Sequence, residues 1–114
     1  MEPIELARNL AETLEDKKGE DIILLDLQEL APLSDYFVIC SGSSDRTIKA
    51  LMDAAVDVAR ENFKVKPRRE GKPEEGWLLA DYGSVVVHVF SNHQREYYRL
   101  EDLWSEAKVL LHVQ

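Results

Sequence analysis

Apolar residues recur at Ile4, Ala7, Ala11 and Leu14, the spacing of one helix face, so residues 3–18 are expected to be helical. Pro3 suits the first turn, Glu2 and Glu5 suit the positive end of the dipole, and Gly19 is a natural stop. "DIILLDL" (21–27) reads as a short buried strand, "APLSD" (31–35) as a turn, and "YFVICS" (36–41) as a second strand. Ile48, Met52, Ala55, Ala59 and Phe63 form the stripe of a long helix over 44–63, with Asp and Glu on much of its outer side. Residues 65–69 predict a short edge strand whose basic side chains deter stray pairing, and "KPEEG" (72–76) a loop. "GWLLADYGSVVVHVF" (76–90) predicts a hairpin turning at Tyr82-Gly83. Asn92 is placed to cap a helical region over 93–105 with a break near Arg99, and "VLLHVQ" fits a helix end or a strand equally well.

The hairpin carries an anomaly. Side chains alternate across a strand pair. One face therefore holds Leu78, Ala80, Tyr82, Val85, Val87 and Val89, and the other Trp77, Leu79, Asp81, Ser84, Val86, His88 and Phe90. Both faces are largely apolar, whereas a half-exposed antiparallel hairpin should show one polar face. Something covers the second face: the chain's own helices or a partner.

The element order α-β-β-α-(β)-β-β-α describes an α/β fold, a mixed sheet of about five strands flanked by helices. At 114 residues and 13.1 kDa the chain is expected to be a single domain over 1–114. Its folded surface should be about 6,400 Å², against roughly 19,000 Å² for the extended chain, which leaves a real core.

Charge narrows the function classes. The net charge is −8, and the one basic run, "KVKPRREGK" (64–72), holds five of the fourteen basic residues. Such a body repels phosphate backbones and attracts basic proteins, so DNA is not an expected partner. The run from Lys64 to Lys72 lacks an interleaved aromatic for base stacking, and a solvated edge is favoured over contact with ribosomal RNA. A single cysteine, Cys40, in an apolar run reads as a buried inert thiol, and with no apolar stretch near 18 residues a reducing, cytoplasmic setting without a membrane is expected.

The most enzyme-like stretch is "CSGSSD" (40–45), a strand end opening into a helix through Gly42 and Ser43. Nucleotidyltransferases use such a Gly-Ser turn with paired carboxylates on the next strand to hold Mg²⁺. Here the next candidate strand, 65–69, has no acid, and Asp45 at the helix mouth would repel an anion. The simpler reading makes Ser44 a helix cap and Gly42 a tight turn. No glycine-rich nucleotide fingerprint occurs, and the histidines and lone cysteine lack metal-ligand spacing, so no catalytic residue, metal or cofactor is expected. His88 reads as a hydrogen-bonded sheet histidine. Trp77 reads two ways: packed under the C-terminal helix with Tyr97 and Trp104, or an anchor for a partner.

"DYFVICSGSSDRTIKA" and "WLLADYGSVVVHVF", followed by "REYYRLEDLW", together resemble the ribosomal silencing factor RsfS family, also called Iojap. The resemblance runs from about Asp21 to Trp104, and its pieces are specific in combination and order. It implies a nucleotidyltransferase-like core without the metal carboxylates. It also implies a non-enzymatic function: binding the large ribosomal subunit through universal large-subunit protein number fourteen, blocking the small subunit, and so lowering translation under nutrient limitation. Ala80 stands where the family usually has a larger aliphatic residue, and Ser84 where an Asp is common. On this reading the Trp77, Leu79, Asp81 and His88 face meets the ribosomal protein, with Asp81 facing a basic side chain. The rivals are a nucleotide-binding or nucleotidyltransferase-like protein using Gly42-Ser43, and a homodimer that buries the hairpin face.

Overall fold

A computed structural model describes residues 2–30, 34–99, 102, 105 and 107–114. Its elements are α1 (Pro3–Asp16), β1 (Glu20–Asp26), β2 (Tyr36–Gly42), α2 (Asp45–Phe63), β3 (Arg68–Lys72), a single 3₁₀ turn (Pro73–Glu75), β4 (Trp77–Asp81), β5 (Val85–Ser91), α3 (Asn92–Tyr98) and β6 (Lys108–Val113). The six strands form one mixed sheet in the order β3-β4-β5-β2-β1-β6. β2 and β5 run parallel, and the other neighbours are antiparallel. The accessible surface, 6603 Å², is close to the value expected from mass alone.

One apolar face of the hairpin is covered and the other is covered in part. α1 and α2 lie on one side, where Leu6, Leu10, Leu14, Ile48, Leu51 and Met52 pack against Val38, Leu78, Ala80 and Val85 in the larger core. A smaller core on the opposite side joins Ile23, Leu25, Leu27, Ile39 and Phe90, with Phe37, Trp77 and Ala107 against it. α3 borders this second core through Tyr98, whose ring meets Trp77 and Phe90. The anomaly in the sequence is thus met largely by the chain itself.

Several boundaries differ from expectation. The turn of the hairpin is Gly83-Ser84 rather than Tyr82-Gly83, since Tyr82 N–H donates to the Val85 carbonyl at 2.8 Å. Gly83 takes the left-handed conformation, φ 87°. Both face assignments survive because the cross-strand partners still match in parity: Leu78 with Val89, Leu79 with His88. The edge strand begins at Arg68, not residue 65. Pro67 has no N–H to offer a ladder, so pairing starts after it. The C-terminal tail is a strand, β6, which raises the count to six. α1 ends at Asp16; Lys18 holds the left-handed conformation (φ 70°), and Gly19 N–H donates to the Leu14 carbonyl at 2.8 Å. Ser91, not Asn92, caps α3, its hydroxyl accepting from Gln94 N–H at 3.1 Å. α3 stops at Tyr98, and Arg99 turns left-handed where a break was expected. Most of the rest of that helical region, Trp104 included, lies outside the described residues.

Candidate functional site

β4 is five residues long and half-buried in alternation: Leu78 and Ala80 point into the larger core, while Trp77, Leu79 and Asp81 are partly exposed on the other face. Trp77 sits among aromatic neighbours. Its ring stacks on Phe90 (centroids 5.1 Å apart, 28° between planes) and leans on Tyr98 (5.0 Å, 46°). Its indole N–H donates to His88 Nδ1 at 3.2 Å. An indole can only donate, so Nδ1 accepts and the His88 proton resides on Nε2. Trp77 therefore meets α3 through Tyr98. Tyr97 is 73% exposed.

His88 is 4% exposed and neighbours Phe37 edge-on at 4.6 Å. Burial pushes its pKa down to about 4, and the Asp81 charge opposes that shift. Its Nε2 is buried and has no hydrogen-bond partner among the described residues. His88 is accordingly a neutral support behind Trp77, and the accessible part of this face is Trp77, Leu79 and Asp81. Asp81 already has local tasks. One carboxylate oxygen accepts Gly83 N–H at 2.7 Å, which braces the turn, and the other faces Arg68 Nη2 at 3.7 Å.

Beside Trp77 the surface forms a cleft of about 400 Å³, bordered by Glu70, Glu75, Trp77, Leu79, Gln94 and Tyr98. Two glycines shape it. At Gly71 (φ 93°) a Cβ would fall 2.1 Å from the Trp77 carbonyl oxygen, so only glycine lets β3 lie this close to β4. At Gly76 (φ 76°) a Cβ would fall 2.7 Å from Ser91 Oγ and 2.8 Å from Gln94 Cγ. With that space open, Ser91 N–H donates to the Gly76 carbonyl at 2.8 Å and Gln94 Nε2 donates to the Glu75 carbonyl at 3.4 Å. The turn carrying Glu75 is thereby fastened to the start of α3. Glu70, Glu75, Gln94 and Tyr98 are absent from the site residues expected from sequence. Had β3 been placed at 68–72, Glu70 would have been found opposite Leu79 on the Trp77 face.

The other sequence candidates take structural roles. Ser44 caps α2, its hydroxyl accepting from Thr47 N–H at 3.1 Å. Gly42 allows close packing on α2, since a Cβ there would sit 3.0 Å from Ile48 and Thr47 methyl carbons. Cys40 is fully buried and burial pushes its thiol up to about 12, as expected for an inert thiol. Within the basic run, Arg69 Nη2 pairs with Asp53 at 3.0 Å, Arg68 faces Asp81, and Lys64 Nζ donates to the Glu61 carbonyl at 3.1 Å. Among the described residues no cluster of His, Cys, Asp and Glu could hold a metal ion, and no helix is long and apolar enough to cross a membrane.

The chain matches, over residues 1–114, the family model described as "Ribosomal silencing factor during starvation". It is 43% identical over 97 residues to a ribosomal silencing factor RsfS of Bacillus subtilis, covering 85% of this chain and 82% of that protein. It is 33% identical over 100 residues to a Mus musculus protein named "Mitochondrial assembly of ribosomal large subunit protein 1", covering 84% of this chain and 43% of that one. A crystal structure of a Chromobacterium violaceum protein superposes with a TM-score of 0.87 at 39% identity, covering 92% of this chain and 88% of that one.

Proposed function

Because this chain belongs to the ribosomal silencing factor family, RsfS, we propose that it binds the large ribosomal subunit and keeps the small subunit from joining it. The docking partner on this reading is universal large-subunit protein number fourteen, and the outcome is lower translation when nutrients are short. The action needs affinity and bulk at the joining surface, with no bond made or broken. A cytoplasmic site of action follows from that partner.

The observation that carries the reading is the fixed, part-exposed Trp77, which shares the accessible part of its face with Leu79 and Asp81. A free surface tryptophan would lose rotamer freedom on binding. Here the His88 hydrogen bond and the Phe90 stack hold the ring before any partner arrives, which lowers the ordering cost of association. Trp77, Leu79 and Asp81 make the contact, and His88 acts through Trp77. A standard interface takes about 800 Å² from each partner. That is a modest share of the 6603 Å² available, so one side of the sheet suffices. The net charge of −8 steers the protein toward basic ribosomal proteins and away from bare RNA.

The test is capture of separated ribosomal subunits by the tagged protein. Wild type should retain large subunits and leave small subunits in solution. Trp77→Ala, confirmed folded by circular dichroism, should weaken capture by more than about 2 kcal/mol, as a central aromatic anchor does. Retention of small subunits alone, or of neither particle, would refute the proposal.

A further inference from the structure

The cleft beside Trp77 has a chemistry of its own. Two aromatic rings, Trp77 and Tyr98, form one wall with centroids 5.0 Å apart. Glu70 and Glu75 border it, and neither carboxylate forms a hydrogen bond or ion pair with another described residue. Among the described residues no basic one lines the cleft; Lys72, which pairs with Trp77 across β3 and β4, is not among the bordering residues. Arg68 is turned to Asp81 and Arg69 to Asp53. The backbone that carries the two residues is held in place by close approaches that only glycine permits. Gly71 keeps β3, and so Glu70, against β4, while Gly76 and the Gln94 bond fix the turn that carries Glu75.

The geometry points to a socket for one arginine side chain of the protein partner. An aromatic face attracts a cation through its quadrupole, and carboxylates attract a guanidinium by paired hydrogen bonds. Arginine satisfies both at once, because its plane stacks on a ring while its fork reaches sideways to acceptors; an ammonium offers only a point charge. The volume, about 400 Å³, is at the small end for a ligand pocket and suits a side chain rather than a folded segment. Because Glu70 and Glu75 are exposed and have no ion-pair partner among the described residues, the arriving cation displaces no ion pair among them. This assignment rests on the proposed function for the identity of the partner as a basic ribosomal protein, and on the cleft alone for the chemistry it accepts.

Two experiments separate these. In the first, the isolated ¹⁵N-labelled protein is titrated with N-acetyl-arginine amide, and the Trp77 indole N–H signal is followed. A saturable shift is expected, lost in the Glu70→Gln/Glu75→Gln variant and absent with the neutral N-acetyl-citrulline amide. No saturable shift, or an equal shift with citrulline, would overturn the socket whatever the fate of ribosome binding. In the second, binding to purified large subunits is compared for wild type, Glu70→Gln/Glu75→Gln, and Glu12→Gln/Glu15→Gln, which removes the same charge from α1. The cleft variant should bind about tenfold more weakly or worse at low salt, and the α1 variant within about twofold of wild type. Equal losses in the two variants, with wild type binding normally, would mean that overall charge and not the cleft recognises the partner. If wild type itself fails to bind, the proposed function falls and the titration alone decides the socket.

Discussion

The Trp77–His88 pair makes stability depend on pH in a way that can be isolated. His88 in the folded protein titrates at about 4, below its ordinary value near 6.5, because it is buried. In the unfolded chain it is exposed and protonates near 6.5. Between these values the unfolded state binds more protons, so stability falls as pH drops from 6.5 towards 4 and is fully present above that window. Each unit of the window corresponds to about 1.4 kcal/mol. From pH 7.5 to 5.0 the loss due to His88 is therefore about 2 kcal/mol. Protonation would also put a proton on Nδ1, facing the indole N–H that now donates there. The perturbation is His88→Asn, whose side-chain carbonyl can still accept from Trp77 but does not titrate. Urea unfolding of both proteins at pH 7.5 and 5.0 gives the comparison, because His93, His112 and the carboxylates are common to the two. Wild type should lose about 2 kcal/mol more than the variant, a difference of roughly 1 M in urea midpoint. Parallel losses would show that His88 is not a neutral buried group and would remove the support assigned to it behind Trp77.

Two further outcomes follow from the same geometry. Gly76→Ala and Gly83→Ala both place a side chain at positive φ, but only the first meets neighbours within 3 Å, whereas nothing lies within 4 Å of a Cβ at Gly83. Gly83→Ala should cost about 1 kcal/mol and Gly76→Ala at least twice that in urea unfolding, and equal costs would contradict the docking of the 73–76 turn on α3. Cys40, buried and pushed up to about 12, should react with a thiol reagent at pH 8 only at the rate of global opening, and rapid labelling under native conditions would refute its burial.

Local pattern made much of the molecule legible before its structure. Alternation assigned residues 77–81 of β4 and 85–90 of β5 to the faces they occupy, and the spacing of Ile48, Met52, Ala55 and Ala59 placed α2. Errors arose where two residues offered the same local chemistry. Gly83 satisfies a left-handed position in either of two adjacent turns, and Ser91 and Asn92 are both good caps. β6 was ambiguous because an edge strand with Val109 53% exposed lacks a clean period of two. The position of β3 turned on Pro67, which the basic pattern around it obscured. The depth of burial within the Trp77 face was not readable: His88 packs behind Trp77 and does not reach the surface beside it. The cleft was out of reach for a plainer reason. Glu75 and Tyr98 are brought together by contacts between the 73–76 turn and α3, and no spacing in the chain encodes them.

The most direct test is subunit joining itself. Purified large subunits are saturated with the protein and small subunits are then mixed in, with light scattering reporting formation of the joined particle. The account predicts that joining falls with dose and is abolished at one bound molecule per large subunit, and that Trp77→Ala restores it. Undiminished joining on large subunits shown to carry the protein would contradict it.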